Sequence, residues 1–150
     1  MIKEVKSEAA MKTFGAQIGA LLKSRVVIEL VGDVGAGKTT LTKGIATGLG
    51  VDEDVQSPSF TISRVYSAHD GLTLAHYDFY RLQDAGIMAD ELNEAVHDLF
   101  TVIIIEWGSV VSGVLPTDRL TIQIESPTES SRRLTINSGG PISAAIEGKL

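Results

Sequence analysis

The chain has 150 residues, 43% of them apolar, with no cysteine and a formal charge of −6. A chain of this size and apolar content buries a core of its own, so a single domain over residues 1–150 is expected. The missing cysteines exclude disulfides, thiolate metal sites and cysteine nucleophiles, and the acidic balance argues against a broad basic surface that holds nucleic acid by phosphate neutralisation alone.

The opening residues Met1-Ile2-Lys3-Glu4-Val5-Lys6 mix charged with apolar side chains. No run approaches the ~20 apolar residues of a membrane span, so neither a signal peptide nor an anchor is expected, and the cytoplasm is the expected compartment. Ser7 is placed to cap a helix whose apolar residues Met11, Phe14, Ile18, Leu21 and Leu22 recur at helical spacing. Val26-Val27-Ile28-Glu29-Leu30-Val31 then reads as a short buried parallel strand, ending at Gly32. From Lys38 a second helix carries Leu41, Ile45 and Leu49 on one side and stops at Gly50.

Residues 60–66 and 72–78 alternate as strands, and His69-Asp70-Gly71 supplies a turn between them, so a hairpin is expected. An acidic helical stretch over about 84–99 leads to a second buried strand, Thr101-Val102-Ile103-Ile104-Ile105-Glu106. Two later strands, 120–125 and 134–137, flank a polar turn, and Gly139-Gly140-Pro141 opens a tail of about ten residues.

The functional signal lies between the first strand and the second helix, in Gly32-Asp33-Val34-Gly35-Ala36-Gly37-Lys38-Thr39-Thr40. This is G-x-x-x-x-G-K-[ST], a phosphate-binding loop. Its glycines let backbone amides turn around phosphates, and the following helix presents its positive end. In that arrangement Lys38 reaches the β- and γ-phosphates, Thr39 gives its hydroxyl to Mg²⁺ and Thr40 approaches the α-phosphate of ATP. The strand before it and the amphipathic helix after it are the context the motif requires.

Such a loop needs an acidic residue at the carboxyl end of a neighbouring apolar strand to hold the Mg²⁺ shell, and Glu106 stands there. Asp78 closes another strand beside His76, Tyr80 and Arg81; it is the candidate to orient or deprotonate an attacking water, against the plainer reading of a strand-end turn former. His76 reads as structural. Trp107 stands equally for a core anchor, an aromatic wall or a partner contact. Ser57-Pro58-Ser59 lies where such proteins place a γ-phosphate-sensing segment; Ser59 is the candidate contact, and a simple proline turn is the competing reading. Together these features predict an α/β, three-layer P-loop NTPase fold with a mixed, mostly parallel central sheet and helices on both faces.

Four segments, GDVGAGKTT from Gly32, SPSFT from Ser57, HYDFYRL from His76 and IIEW from Ile104, resemble the bacterial TsaE family in order and spacing. The resemblance runs from the first helix to the strand carrying Arg132 and Arg133. It implies an ATPase in the synthesis of the tRNA modification threonylcarbamoyladenosine, acting with Mg²⁺ on a TsaB–TsaD complex and meeting tRNA only indirectly. Carried over by position, Lys38 and Thr39 are similar to the family's phosphate and Mg²⁺ residues, Glu106 to its Mg²⁺-associated acid and Asp78 to its hydrolytic residue. Ser59 stands where the family usually has threonine. Arg132 and Arg133 fall where the family has an arginine near the nucleotide, and two solvated arginines are the alternative.

Two other functions compete. A small-molecule kinase of the P-loop class needs an arginine-rich lid, and the arginines here are scattered at 25, 64, 81, 119, 132 and 133. A non-hydrolysing module that binds a partner when ATP is present remains open, whereas a GTPase lacks its N-K-x-D guanine-reading motif.

Overall fold

The computed structural model describes residues 1–58, 61–84 and 86–150. Aliphatic and β-branched runs supply the centre of one seven-stranded sheet, ordered β1-β7-β6-β2-β5-β4-β3. The strands are β1 (Ile2–Val5), β2 (Val26–Val31), β3 (Ser63–Ser67), β4 (Thr73–Asp78), β5 (Thr101–Glu106), β6 (Leu120–Glu125) and β7 (Arg132–Ser138). β2 pairs in parallel with β5 and β6, and β4 with β5. β3 and β7 run against their neighbours, so the other five strands share one direction. The sheet is therefore mixed and mostly parallel, as expected.

Helices α1 (Glu8–Leu21), α2 (Lys38–Gly48) and α4 (Pro141–Glu147) lie with one face of the sheet, and α3 (Gly86–Val96) with the other. On the first face Ile18, Leu41 and Ile45 meet Ile28, Leu30, Leu74 and Ile104 in the larger core. On the second, Leu92 and Val111 cover Val27, Tyr77, Phe79, Ile103 and Ile105. Opposite parity decides the face, since successive residues of a strand point to opposite sides. Among the described residues the second face is covered over β2, β5 and β4; on β6, whose burial alternates strictly, the same side carries Thr121, Gln123 and Glu125. Among the described residues no helix is long and apolar enough to cross a membrane.

Ser7 caps α1 as its position predicts, accepting the Ala10 amide at 3.0 Å. Two features differ from the sequence expectation. The opening residues form β1, an edge strand paired with β7 through Ile2↔Thr135 and Val5↔Arg132. The expected tail after Gly140 is instead α4, which buries Ser143 and Ile146. Proline at its first turn favours a helix start. Its cap comes from far upstream: the Asp118 carboxylate accepts from the Ile142 and Ser143 amides at 2.8 and 3.0 Å and from the Ser143 hydroxyl at 2.6 Å.

Contact between α1 and α2 brings backbone against backbone. A Cβ added at Gly19 falls 2.1 Å from the Ile45 carbonyl, and one at Gly44 falls 2.4 Å from the Lys12 carbonyl. Only hydrogen fits at this crossing, which presses α1 directly onto the helix that begins at the glycine loop.

Gly19→Ala is expected to lower stability by about 1–3 kcal/mol through overpacking, read as a fall of several degrees in Tm. Gly113→Ala, where a Cβ meets nothing within 4 Å, is expected to leave Tm unchanged.

Asp118 supplies a pH-dependent term. Desolvation pushes its pKa up, but the Ser143 side-chain and backbone bonds, the Ile142 amide and the Arg25 charge together hold it below its ordinary 3.8. Its contribution is therefore complete above the unfolded value and lost as pH falls through the lower folded one. Asp118→Ala should cost about 1 kcal/mol at neutral pH by denaturant titration, and the gap from the unaltered chain should close in acid.

Candidate functional site

At the end of β2 the chain leaves the sheet through Gly32 and returns as α2. Gly35 and Gly37 take φ of 80° and 110°, a left-handed region that side chains disfavour, and this reversal lets the loop wrap a concave space. Gly37 is the N-cap of α2, and among the described residues no side chain caps the helix. The orphan amides of its first turn thus face the cavity at the positive end of the helix. Within the loop, the Ala36 amide donates to the Asp33 carbonyl at 3.0 Å. The Lys38 ammonium donates to the carbonyls of Gly32 and, at 3.1 Å, Asp33.

The neighbouring strands bring the acids. Asp78 on β4 pairs directly with Glu106 on β5, and Glu106 pairs with Leu30 on β2. Residues paired across parallel strands project to the same side, here the side on which α2 packs. Glu106 is 3% exposed, and its Oε2 lies 2.6 Å from Nε2 of the fully buried His76. His76 Nδ1 is buried without a hydrogen-bond partner among the described residues. That arrangement lets the imidazole donate from Nε2 to the carboxylate.

Asp78 divides its two oxygens. Oδ1 accepts the Tyr80 amide at 3.0 Å, the turn contact of the plainer reading, while Oδ2 accepts the Ser57 hydroxyl at 3.4 Å. Lys38 is 6% exposed, and burial pushes its pKa down from 10.5, opposed by the carboxylates of Glu106, Asp78 and Asp33. The Trp107 ring lies 4.2 Å from the Lys38 ammonium, and Tyr80 packs on Trp107 with centroids 4.9 Å apart. Trp107 holds the left-handed φ of 57° directly after Glu106, which turns its ring onto the lysine.

These groups enclose a cavity of about 450 Å³ lined by Val34, Gly35, Gly37, Lys38, Thr39, Thr40, Ser57, Asp78, Tyr80, Arg81, Glu106 and Trp107. Gly35, Gly37 and Thr40 also line an adjoining cavity of about 440 Å³, walled by Ser7, Glu8, Met11, Glu129 and Arg132. The structure thus brings Val34, Gly35, Gly37, Lys38, Thr39, Thr40, Asp78 and Glu106 to one cleft. Gly32, Asp33 and Ala36 line a neighbouring depression that shares Trp107 with the cleft. Arg132 reaches the loop from β7, donating to the Ala36 carbonyl at 2.9 Å. Arg133 is not brought to the cleft: it points to the other side of β7 and pairs with Glu4 of β1 at 3.1 Å. Ser59 lies outside the described residues.

Sequence reasoning left Trp107 undecided and gave His76 no link to Glu106. Histidine in an otherwise apolar strand was the available signal for the pair. Its partner stands 30 residues away on another strand, and only the strand register reveals it.

A family model described as "Threonylcarbamoyl adenosine biosynthesis protein TsaE" matches residues 5–134. A Streptomyces coelicolor protein called tRNA threonylcarbamoyladenosine biosynthesis protein TsaE is 40% identical over 116 residues, covering 77% of this chain and 78% of its own. Relatives with the same description from Treponema pallidum and Bacillus subtilis are each 39% identical, covering 82% and 86% of this chain and 90% and 80% of their own. The crystal structure of Bacillus subtilis YdiB superposes with a TM-score of 0.83 at 33% identity, over 99% of this chain and 92% of that one.

His76→Leu leaves the buried Glu106 carboxylate without its donor and should cost about 3 kcal/mol or more, read by thermal unfolding. His76→Gln keeps an amide donor and should lose distinctly less; equal losses would contradict the hydrogen-bonding role assigned to the ring.

Proposed function

This chain belongs to the TsaE family of threonylcarbamoyl adenosine biosynthesis proteins, and on that premise we propose that it binds and hydrolyses ATP in the cleft between the glycine loop and the ends of β4 and β5. It serves tRNA threonylcarbamoyladenosine biosynthesis, working in the cytoplasm on a TsaB–TsaD-type complex and touching tRNA only through that complex. The observation that carries the reading is the convergence of Lys38, Asp78 and Glu106 on a cavity fronted by the first turn of α2.

The phosphates of ATP lie against the loop and the first turn of α2, with Thr40 nearest the α-phosphate. Lys38 exchanges the carbonyls of Gly32 and Asp33 for the β- and γ-phosphates, whose negative charge offsets the burial that disfavours its ammonium. The nucleoside extends into the adjoining cavity, which shares Gly35, Gly37 and Thr40 with the phosphate cleft.

The residues fit Mg²⁺. Among the described residues no cluster of three or more His, Asp or Glu could cage an ion alone, while Thr39 and Glu106 offer oxygen donors beside the cleft. One carboxylate, one hydroxyl, waters and substrate phosphates are the donors this ion favours. Thr39 and Glu106 would hold it, with His76 fixing the carboxylate, and once bound it would supply positive charge against the terminal phosphates.

Asp78 orients or deprotonates the attacking water. Its Oδ2 is engaged by Ser57, so that oxygen becomes available when the segment containing Ser57 shifts. This supports hydrolysis that is slow in the isolated chain and rises when a partner engages that segment.

Lys38→Ala should abolish detectable ATP and ADP binding by calorimetry. Asp78→Ala should bind ADP within about twofold of the unaltered chain and lose about 100-fold in turnover. Unchanged turnover in Asp78→Ala would remove its catalytic assignment and favour the non-hydrolysing module. Rapid phosphoryl transfer to a small metabolite without a partner would favour a kinase instead.

A further inference from the structure

We propose that Arg132 is a positioning residue: it holds the phosphate loop by the Ala36 carbonyl and ties that loop to the β6–β7 turn, without touching the phosphates. The inference rests on the nucleotide reading above and goes beyond it by assigning how the loop keeps its shape.

Arg132 Nε donates to the Ala36 carbonyl at 2.9 Å, 96 residues away in sequence. Its Nη1 donates to the carbonyls of Thr128, Glu129 and Ser131 at 3.2, 3.1 and 2.8 Å. The guanidinium therefore joins main-chain carbonyls at both ends. The turn is itself closed around it, since the Ser131 amide donates to the Thr128 hydroxyl oxygen at 3.0 Å and the two hydroxyls lie 2.6 Å apart.

Peptide planarity gives this strut its leverage. In a trans peptide the Ala36 carbonyl and the Gly37 N–H point to opposite sides of one plane. A carbonyl fixed toward Arg132 thus turns the Gly37 N–H the other way, away from the strut. Glycine stands on both sides of Ala36, so little in the local backbone opposes a flip of this peptide. A fixed donor outside the loop is what selects one orientation. The same side chain borders the cavity assigned to the nucleoside, together with Glu129, so loop and turn form connected walls of the ligand site.

Lysine cannot replace this geometry. Its ammonium is a single point of charge, whereas arginine reaches the loop from Nε and the turn from Nη1 at once.

The test measures ADP and ATP affinity, Tm and the kcat and KM for ATP in the full chain, R132A and R132K. Loss of one charged hydrogen bond and the order it imposes should weaken ADP and ATP alike by about tenfold in R132A. KM should rise with kcat nearly unchanged, and R132K should lose nearly as much as R132A although it keeps the charge. Millimolar methylguanidinium should restore part of the lost affinity in R132A, a readout that general destabilisation would not produce and that still applies if R132A melts early.

A loss confined to ATP would mean direct contact with the γ-phosphate and would overturn the proposal. Unaltered affinity in R132A, unaltered affinity in R132K, or no rescue by methylguanidinium would each overturn it too. An unaltered chain that binds neither nucleotide would remove the nucleotide reading itself, and the proposal with it.

Discussion

The cleft depends on the parallel register of β2, β5 and β4, which brings Leu30, Glu106 and Asp78 to one level across three adjacent strands. Because paired residues share a face, both carboxylates emerge beside the glycine loop that continues from β2. A slip of one residue in β5 would turn Glu106 to the opposite side of the sheet and present Ile105 in its place. The buried aliphatic runs below therefore do more than fill the core: they fix the height and direction of the acids. His76 adds a second lock on Glu106 from within the same layer.

Charge balance links this scaffold to chemistry. The cleft gathers the Lys38 ammonium and the carboxylates of Asp78 and Glu106 in partial or full burial. Lys38 is satisfied by loop carbonyls and the Trp107 face, Glu106 by His76, and Asp78 by Ser57 and Tyr80. On the proposed function, each of these groups has a partner that a phosphate, a hydrated cation or a water would replace. A site arranged this way favours an exchange of contacts on binding over the filling of an empty charged pocket.

The legible parts of the sequence were the local ones. Val26 to Val31, the glycine loop and α2 follow one another directly, so periodicity and spacing located all three. The parts that escaped depend on distant partners. β1 is four residues long and exists as a strand because β7 accepts it, and α4 is capped by Asp118, 24 residues before Ile142. Arg132 and Arg133 illustrate the limit most sharply: adjacent on β7, they face opposite ways, one to the loop and one to Glu4. Sequence position named both, and strand direction separates them.

The proposed function comes to one claim, that ATP turnover at this site sustains tRNA threonylcarbamoyladenosine synthesis by a partner complex. The most direct measurement reconstitutes TsaB and TsaD with a threonylcarbamoyl donor, tRNA, ATP and Mg²⁺, and counts modified adenosines per complex over time. The account predicts many turnovers with this chain and arrest near a single turnover when it is omitted or carries Lys38→Ala. Equal multiple turnover with the chain, without it and with Lys38→Ala would contradict the account.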